Sequence, residues 1–235
     1  MMRFDVRSSA PEWMDGDDLT PATFAAVLAD LARVNTITRA RPPTLGFVAR
    51  AVRAMPADRP LTILDVGFGD GDMLRALEQR LRGRRAVRLI GYDINPRSAA
   101  AAAARTAPGS IIDYRTGDAT MLDPAEPVDL ILSSLVAHHM RDAEIVRFLM
   151  WMEQRARRGW FVNDLHRHPV AYHGFRLLAA VARWHPCVRH DGAVSVARAF
   201  HRADWERLAA AAGLDRGTLR LRWHPPFRWC VGRLR

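Results

Sequence analysis

Apolar residues along the chain alternate between two rhythms. Short continuous runs of four to six predict buried strands, and runs spaced three and four apart predict helices. An amphipathic helix is expected over 20–32, started by Thr20 or Pro21, with Phe24, Val27, Leu28 and Leu31 as its stripe. A second helix, Thr44 to Met55, should stop before Pro56. Leu61, Ile63, Leu64 and Val66 then form the first run of a strand covered on both faces. Helix Gly71 to Leu81, strand Val87 to Tyr92, an Ala-rich helix opened by Pro96 and strand Ile111 to Arg115 follow. Strand Val128 to Leu132, helix Asp142 to Arg157 and strand Trp160 to Asn163 complete five βα alternations, which predict a doubly wound, mostly parallel α/β sheet. Beyond them comes helix Val170 to Trp184, and the stretch that follows to Phe200 breaks the rhythm as an insertion before the last helix. Helix Arg202 to Ala212, closed by Gly213, leads to a terminal hairpin, Gly217 to Trp223 and Phe227 to Gly232.

Between the first strand and its helix, Gly67, Gly69 and Gly71 occupy alternate positions, where glycine lets the backbone turn sharply and lets a ligand approach closely. Phe68 and Asp70 lie between them, and Asp65 precedes the first glycine. Backbone N–H groups at the following helix start can face a nucleotide-like ligand. The dinucleotide fingerprint G-x-G-x-x-G spaces its glycines differently because it packs beside a pyrophosphate. Two carboxylates beside the loop would repel a pyrophosphate and suit a ligand carrying an ammonium and a sulfonium.

The run D-V-G-F-G-D-G resembles motif I of the class I S-adenosylmethionine-dependent methyltransferases, and the resemblance spans roughly Thr44 to the C-terminus. It implies a Rossmann-like seven-stranded sheet, with the terminal hairpin as its antiparallel edge. It also implies S-adenosyl-L-methionine as cofactor and S-adenosyl-L-homocysteine as product. Asp93 ends the second strand 28 positions after Asp65 and matches the family's ribose ligand, with Ile94 beside it. Asp118, followed by Ala119, matches the acid that hydrogen-bonds the adenine amino group. Ser133, after the fourth strand, completes the expected cofactor-binding set.

The helices ahead of the first strand, residues 1–56, resemble an N-terminal cap on a methyltransferase domain over 57–235, and residues 170–200 resemble an acceptor-binding lid. Packing alone is the competing reading of both segments. Carboxyl-edge residues Ser134, His138, Asn163 and Asp164, with Tyr172, His173 and Arg176 of the following helix, are the candidate substrate-binding set. Methyl transfer to a hydroxyl sheds a proton, and a base with pKa near 7 suits that task. His139 is the first candidate, because S-S-L-V-A-H-H-M resembles the segment after strand four in ubiquinone/menaquinone-type enzymes. His166 is the second. No metal is expected, since Leu135 and His138 occupy the places of the two Glu that hold a cation in ubiquinone-pathway O-methyltransferases. Neither N-P-P-[YF] nor Pro-Cys follows strand four, which argues against adenine-amino and cytosine-C5 chemistry.

Composition changes this picture little. The 235 residues are 49% hydrophobic and carry a formal net charge of +10, and every basic residue is Arg. Clusters at Arg80, Arg82, Arg84, Arg85 and Arg88 and at Arg155, Arg157 and Arg158 sit where helix C-termini favour cations. Nucleic acid is therefore not the expected partner, although an RNA (rRNA or tRNA) methyltransferase remains the alternative, and a non-catalytic S-adenosylmethionine-binding module a second. The expected acceptor is a small aromatic, quinol or polyketide-like molecule. With no apolar run of membrane-spanning length, no signal-peptide pattern and only Cys187 and Cys230, the chain is expected in a reducing cytoplasm without a disulfide framework, a homodimer being left open.

Overall fold

A computed structural model describes residues 4–16, 19–56 and 59–235. Its centre is a seven-stranded sheet: β1 (Leu61–Val66), β2 (Val87–Asp93), β3 (Ile112–Thr116), β4 (Leu130–Ser134), β5 (Gly159–Leu165), β6 (Arg220–His224) and β7 (Arg228–Leu234). The spatial order is β3-β2-β1-β4-β5-β7-β6. The first five strands run parallel, and β7 pairs antiparallel with both β5 and β6. The chain winds outward from β1 in one direction, then restarts at β4 in the other. The crevice at this reversal, above the carboxyl ends of β1 and β4, is where open α/β sheets bind ligands.

Alternating residues of the strands feed two apolar layers, as a sheet covered on both faces requires. Leu64, Ile90, Ile131, Trp160 and Val162 pack against α5 (Asp142–Arg155) and α8 (Arg202–Ala211). Ile63, Leu89, Leu130, Leu132 and Phe161 pack against α2 (Arg41–Ala54) and α3 (Asp72–Leu81). Phe47 of α2 stacks on Phe161 at 4.7 Å.

A third apolar cluster lies off the sheet. There Val27 of α1 (Pro21–Ile37) meets Ala179 of α6 (Pro169–Val181) and Cys187 and Val188 of α7 (Pro186–Arg198), with Trp184 between. The two segments expected to cover the crevice thus pack on each other. The stretch to Phe200, to which the sequence pattern assigns no element, holds α7, a helix of weak amphipathicity because it is buried on several sides through Val188, Ala193, Val196 and Ala197. Helix α1 runs to Ile37 rather than stopping near Ala32. Helix α2 begins at Arg41, since Pro42 and Pro43 occupy first-turn positions where a missing N–H is harmless. α4 (Pro96–Ala104) joins this roof: Arg97 donates to the carbonyls of Gly16 and Leu19 at 3.1 Å each and lies over the Phe24 ring at 4.3 Å.

The arginine clusters are partly consumed by the fold. Arg85 donates to the carbonyls of Met55 and Arg59, and Arg155 to those of Asp123, Pro124 and Glu126. Among the described residues no helix is long and apolar enough to cross a membrane.

Candidate active site

The glycine turn leaves β1 with Gly67, Gly69 and Gly71 all at positive φ, between 57° and 76°. At Gly71 the need for glycine is double: φ is +76°, and a Cβ would lie 2.3 Å from the Tyr114 hydroxyl. Asp93 fixes the turn from β2, its two carboxylate oxygens accepting the Gly69 and Asn95 backbone N–H groups at 2.9 Å each. Burial raises its pKa despite these bonds, and each oxygen retains a lone pair for a further donor such as a ribose hydroxyl.

Asp65 is completely buried, and its Oδ1 has no hydrogen-bond partner. Burial, with Asp72 and Asp93 nearby, pushes its pKa well above the carboxylate range. Burial also lifts Asp72 to about 6, and its Oδ2 is likewise unpartnered. A buried, unsatisfied carboxylate is costly unless a cationic ligand faces it. The ammonium and sulfonium of S-adenosylmethionine fit these carboxylates beside the glycine turn. Asp70, by contrast, turns to Arg75 and Arg105 at 3.1 and 3.2 Å. Asp118 caps a short turn, accepting from the Thr120 N–H at 2.8 Å, and Ala119 is buried behind it.

From this turn a cavity of about 1360 Å³ runs beneath α1 and α7. Gly67, Phe68, Gly69, Asp93, Ile94, Asp118 and Ala119 line one part, and Met14, Phe24, Leu28, Leu31 and Phe175 line another. Ser134, His138 and His139 join the two on the segment after β4. Leu135 there has φ of +63°, an unfavourable conformation for a branched side chain, and the Val136 side chain fills the space that a Cβ on Gly67 would need.

The two histidines differ in setting. His138 is buried, with Nδ1 2.7 Å from Asp164 Oδ1 and its backbone N–H on Asp164 Oδ2 at 3.2 Å. Asp164 is fully buried, yet the charge of His138 and its hydrogen bonds lower its pKa. His139 is about 30% exposed, its Nδ1 3.2 Å from Asp15 Oδ2. Glu12 stands between the rings, with each Nε2 3.7 Å from one of its oxygens. Burial raises Glu12 to about 7, against the opposing charge of His139 and a hydrogen bond from Ser195. Glu12, His138 and His139 bring one ligand atom each within 4.8 Å of one another, a set able to hold a cation. Arg7 and Arg198 brace the segment by donating to the carbonyls of His138, His139 and Met140.

Other sequence candidates lie away from this wall. β5 continues to Leu165, so Asn163 and Asp164 are interior: Asn163 donates to Ala40 O and Thr44 Oγ1, and Ser133 donates to Val66 O. His166 is packed outside the cavity, against His168, His201, Phe227 and Trp229. Burial and the neighbouring His168 and His201 lower its pKa to about 4. On α6 it is Phe175 that reaches the cavity. Tyr172 packs on Phe4, while His173 and Arg176 are exposed on the opposite face, as the helical period requires.

Three residues are missing from the sequence-derived set: Glu12, Asp15 and Arg228. Arg228 is 1% exposed and borders the cavity. Its Nη2 donates to Thr38 Oγ1 at 3.1 Å, while Nε and Nη1 have no partner. No periodicity or motif marks the first two, and an Arg at the start of an edge-side strand gives no signal of its own.

Residues 63–159 match the family described as methyltransferase domain. Trans-aconitate 2-methyltransferase of Streptomyces avermitilis is 32% identical over 171 residues, 69% of this chain and 61% of that protein. Its namesake from Streptomyces coelicolor is 31% identical over 165 residues, 66% of this chain and 52% of that protein. The chain thus spans about half to three-fifths of the length of these curated relatives. Among solved structures, a plantazolicin methyltransferase in complex with a pentazolic desmethylPZN analog and SAH superposes with a TM-score of 0.62. Its identity is 13%, covering 92% of this chain and 96% of that one. By its sheet order, its glycine turn and these relatives, the chain belongs to the class I S-adenosylmethionine-dependent methyltransferases.

Proposed function

We propose that the chain transfers the methyl group of S-adenosylmethionine to a hydroxyl of a small hydrophobic acceptor, phenolic, enolic, quinol or polyketide-like. The observation that carries this reading is the single cavity of about 1360 Å³ joining the glycine turn to an apolar chamber, with His138 and His139 at the junction. The apolar chamber formed by Met14, Phe24, Leu28, Leu31 and Phe175, with ionisable groups gathered at its junction with the glycine turn, suits a compact organic acceptor. Methyl transfer from a sulfonium is an in-line displacement with a good leaving group. The protein's task is therefore to align donor and acceptor, exclude water beneath α1 and α7 and draw off one proton. His139, the more open imidazole, is the group assigned to the proton, and His138 to positioning the acceptor.

The name of the curated relatives favours a second reading, a carboxylate acceptor, and Arg228 supports it. Two unpartnered N–H groups on a buried guanidinium beside the cavity suit a planar oxyanion. An RNA substrate is disfavoured because the cavity is enclosed by α1 and α7 and part of the arginine excess is tied to backbone carbonyls. Buried, unpaired Cys187 and Cys230 are consistent with a reducing cytoplasmic setting.

Calorimetry with S-adenosylmethionine and transfer of tritiated methyl to panels of phenols, hydroxyquinones, carboxylates and total RNA test the proposal together. The expected result is donor binding that weakens about 10–100-fold in Asp93→Ala, the scale of one or two charge-assisted hydrogen bonds, with label in a small hydroxyl compound. Label confined to RNA, or donor binding with no transfer to any acceptor, would overturn it.

A further inference from the structure

The wall that faces the acceptor is arranged as a ligand set. A carboxylate engages the Nδ1 of each imidazole, Asp164 on His138 at 2.7 Å and Asp15 on His139 at 3.2 Å. Such contacts favour the Nδ1–H tautomer and leave the Nε2 lone pair free, the arrangement by which outer carboxylates orient metal-binding histidines. Both Nε2 atoms point at Glu12, one toward each oxygen, at 3.7 Å. That is too long for a hydrogen bond. It is close to the roughly 3.4 Å that separates two ligand atoms bound tetrahedrally to one ion at about 2.1 Å.

The carboxylate is not free to swing away. Glu12 is 4% exposed and held by the Ser195 hydroxyl, which donates at 2.9 Å. The backbone of the two histidines is braced by Arg7 and Arg198. Three carboxylates, those of Glu12, Asp15 and Asp164, converge on two imidazoles, and Arg198 lies 3.7 Å from Asp15, so a dication there would meet compensating negative charge.

We propose that Glu12, His138 and His139 bind a divalent transition-metal ion of the zinc or cobalt type, with an open coordination position facing the cavity. Two imidazole nitrogens and one carboxylate select such borderline ions over magnesium or calcium, which take oxygen ligands. Three protein ligands with a vacant fourth position are the pattern of catalytic rather than structural sites.

This inference rests on the reading of the cavity as the acceptor site, and it changes the part given to His139 from base to ligand of the ion that acidifies the acceptor hydroxyl. The acceptor hydroxyl coordinates the ion, its O–H bond breaks and the proton leaves to solvent. The bound oxygen then forms the O–CH3 bond as the S–CH3 bond breaks, and the electron pair stays on sulfur as neutral S-adenosylhomocysteine. The ion supplies Lewis acidity only, so no oxidant or reductant is required. The sequence expectation of no metal considered only residues after β4, whereas the third ligand comes from residue 12.

The test uses the whole chain, stripped with a chelator and titrated with Co²⁺ followed by visible absorption, with Zn²⁺ by calorimetry and with Mg²⁺ as comparison. Donor affinity is measured on every sample. The expected result is one equivalent of Co²⁺ with the strong d–d absorption of a four- or five-coordinate site, displaced by Zn²⁺ and not by Mg²⁺. Glu12→Gln and His139→Ala should each abolish that spectrum while donor affinity, which reports an intact fold, is retained. Asp164→Asn should weaken Zn²⁺ about 10–100-fold, as loss of an outer carboxylate does. A chain that binds the donor and transfers methyl groups but takes up no Co²⁺ or Zn²⁺ overturns this inference and leaves the proposed function standing. Uptake unchanged in both ligand variants, or Mg²⁺ bound as tightly as Zn²⁺, also overturns it. Stoichiometric metal without donor binding supports the metal site and sinks the proposed function instead.

Discussion

Asp164 Oδ1 lies 2.7 Å from His138 Nδ1, and Asp164 Oδ2 accepts the backbone N–H of the same histidine at 3.2 Å. One carboxylate at the end of β5 thus fixes both the ring and the main chain of a residue on the segment after β4. Because the pair is buried, the ring orientation and the Nε2 lone pair are set before any ligand arrives.

Asp164→Asn keeps the size of this side chain but removes the charge that selects the tautomer. Turnover should fall about 10–100-fold, the usual scale for a residue that orients a ligand or catalytic imidazole. The dissociation constant for S-adenosylmethionine should stay within about twofold, since Asp164 does not line the donor turn. Steady-state kinetics with calorimetry checks this, and a parallel loss of donor affinity would make the role of Asp164 one of folding alone.

His139→Ala should lower turnover by about two to four orders of magnitude with donor affinity spared, the contribution expected of a group that handles the transferred proton. His166→Ala should leave turnover within a few-fold of wild type, because His166 packs against Phe227 and Trp229 outside the cavity. The reverse ranking would reassign the base to the β5 side of the sheet. Full activity in both variants would mean that alignment alone drives transfer, as for an acceptor already ionised.

The contrast between those two histidines shows where the sequence was readable. Strand and helix rhythm, the D-V-G-F-G-D-G turn and the acids ending β2 and following β3 are local patterns, and the fold brings them to one crevice. The post-β4 histidines were visible for the same reason. What completes their surroundings is not local: Asp15 meets His139 across 124 positions of chain and Glu12 meets His138 from the same segment. β5 outlasts its apolar run, carrying Asp164 under His138 and His166 past the cavity. Nor can alternation reveal α7, whose buried residues surround the helix rather than forming a stripe.

Asp65 sets donor binding against stability. Its raised pKa means that the folded state holds the proton more tightly than the unfolded chain. The associated stability is present below the unfolded pKa near 3.8 and is lost as pH rises through the folded value. At neutral pH the ligand-free protein therefore carries a penalty that Asp65→Asn removes. The melting temperature without donor should rise by roughly 2–4 °C, the shift of about 1 kcal/mol in a domain of this size. Donor affinity should fall, since the carboxylate facing the ligand's ammonium is gone. Differential scanning fluorimetry with and without S-adenosylmethionine reads both effects. A variant that is less stable and still binds would remove Asp65 from the donor site.

The pH dependence of folding should carry the mark of His166. Its folded pKa is lowered to about 4 from 6.5, by burial first and then by the nearby His168 and His201. The Trp223 indole N–H also donates to its Nδ1 at 3.2 Å, a bond that requires an unprotonated nitrogen. Between these two pKa values the unfolded chain binds a proton that the folded chain refuses, so stability rises with pH across that interval. The contribution is complete above about 6.5 and is lost as pH falls toward 4. Over the same interval the raised carboxyls of Glu12, Asp65 and Asp72 add stability as pH falls, so urea titrations isolate His166 as the difference between the wild type and a non-titrating variant. His166→Asn, which can still accept from Trp223 but does not titrate, should have a midpoint that falls less, or rises more, from pH 7 to pH 5 than that of the wild type. Equal pH sensitivity in the two proteins would show that other titrating groups, such as His224, whose pKa burial also lowers, rather than this histidine, set the acid loss of stability.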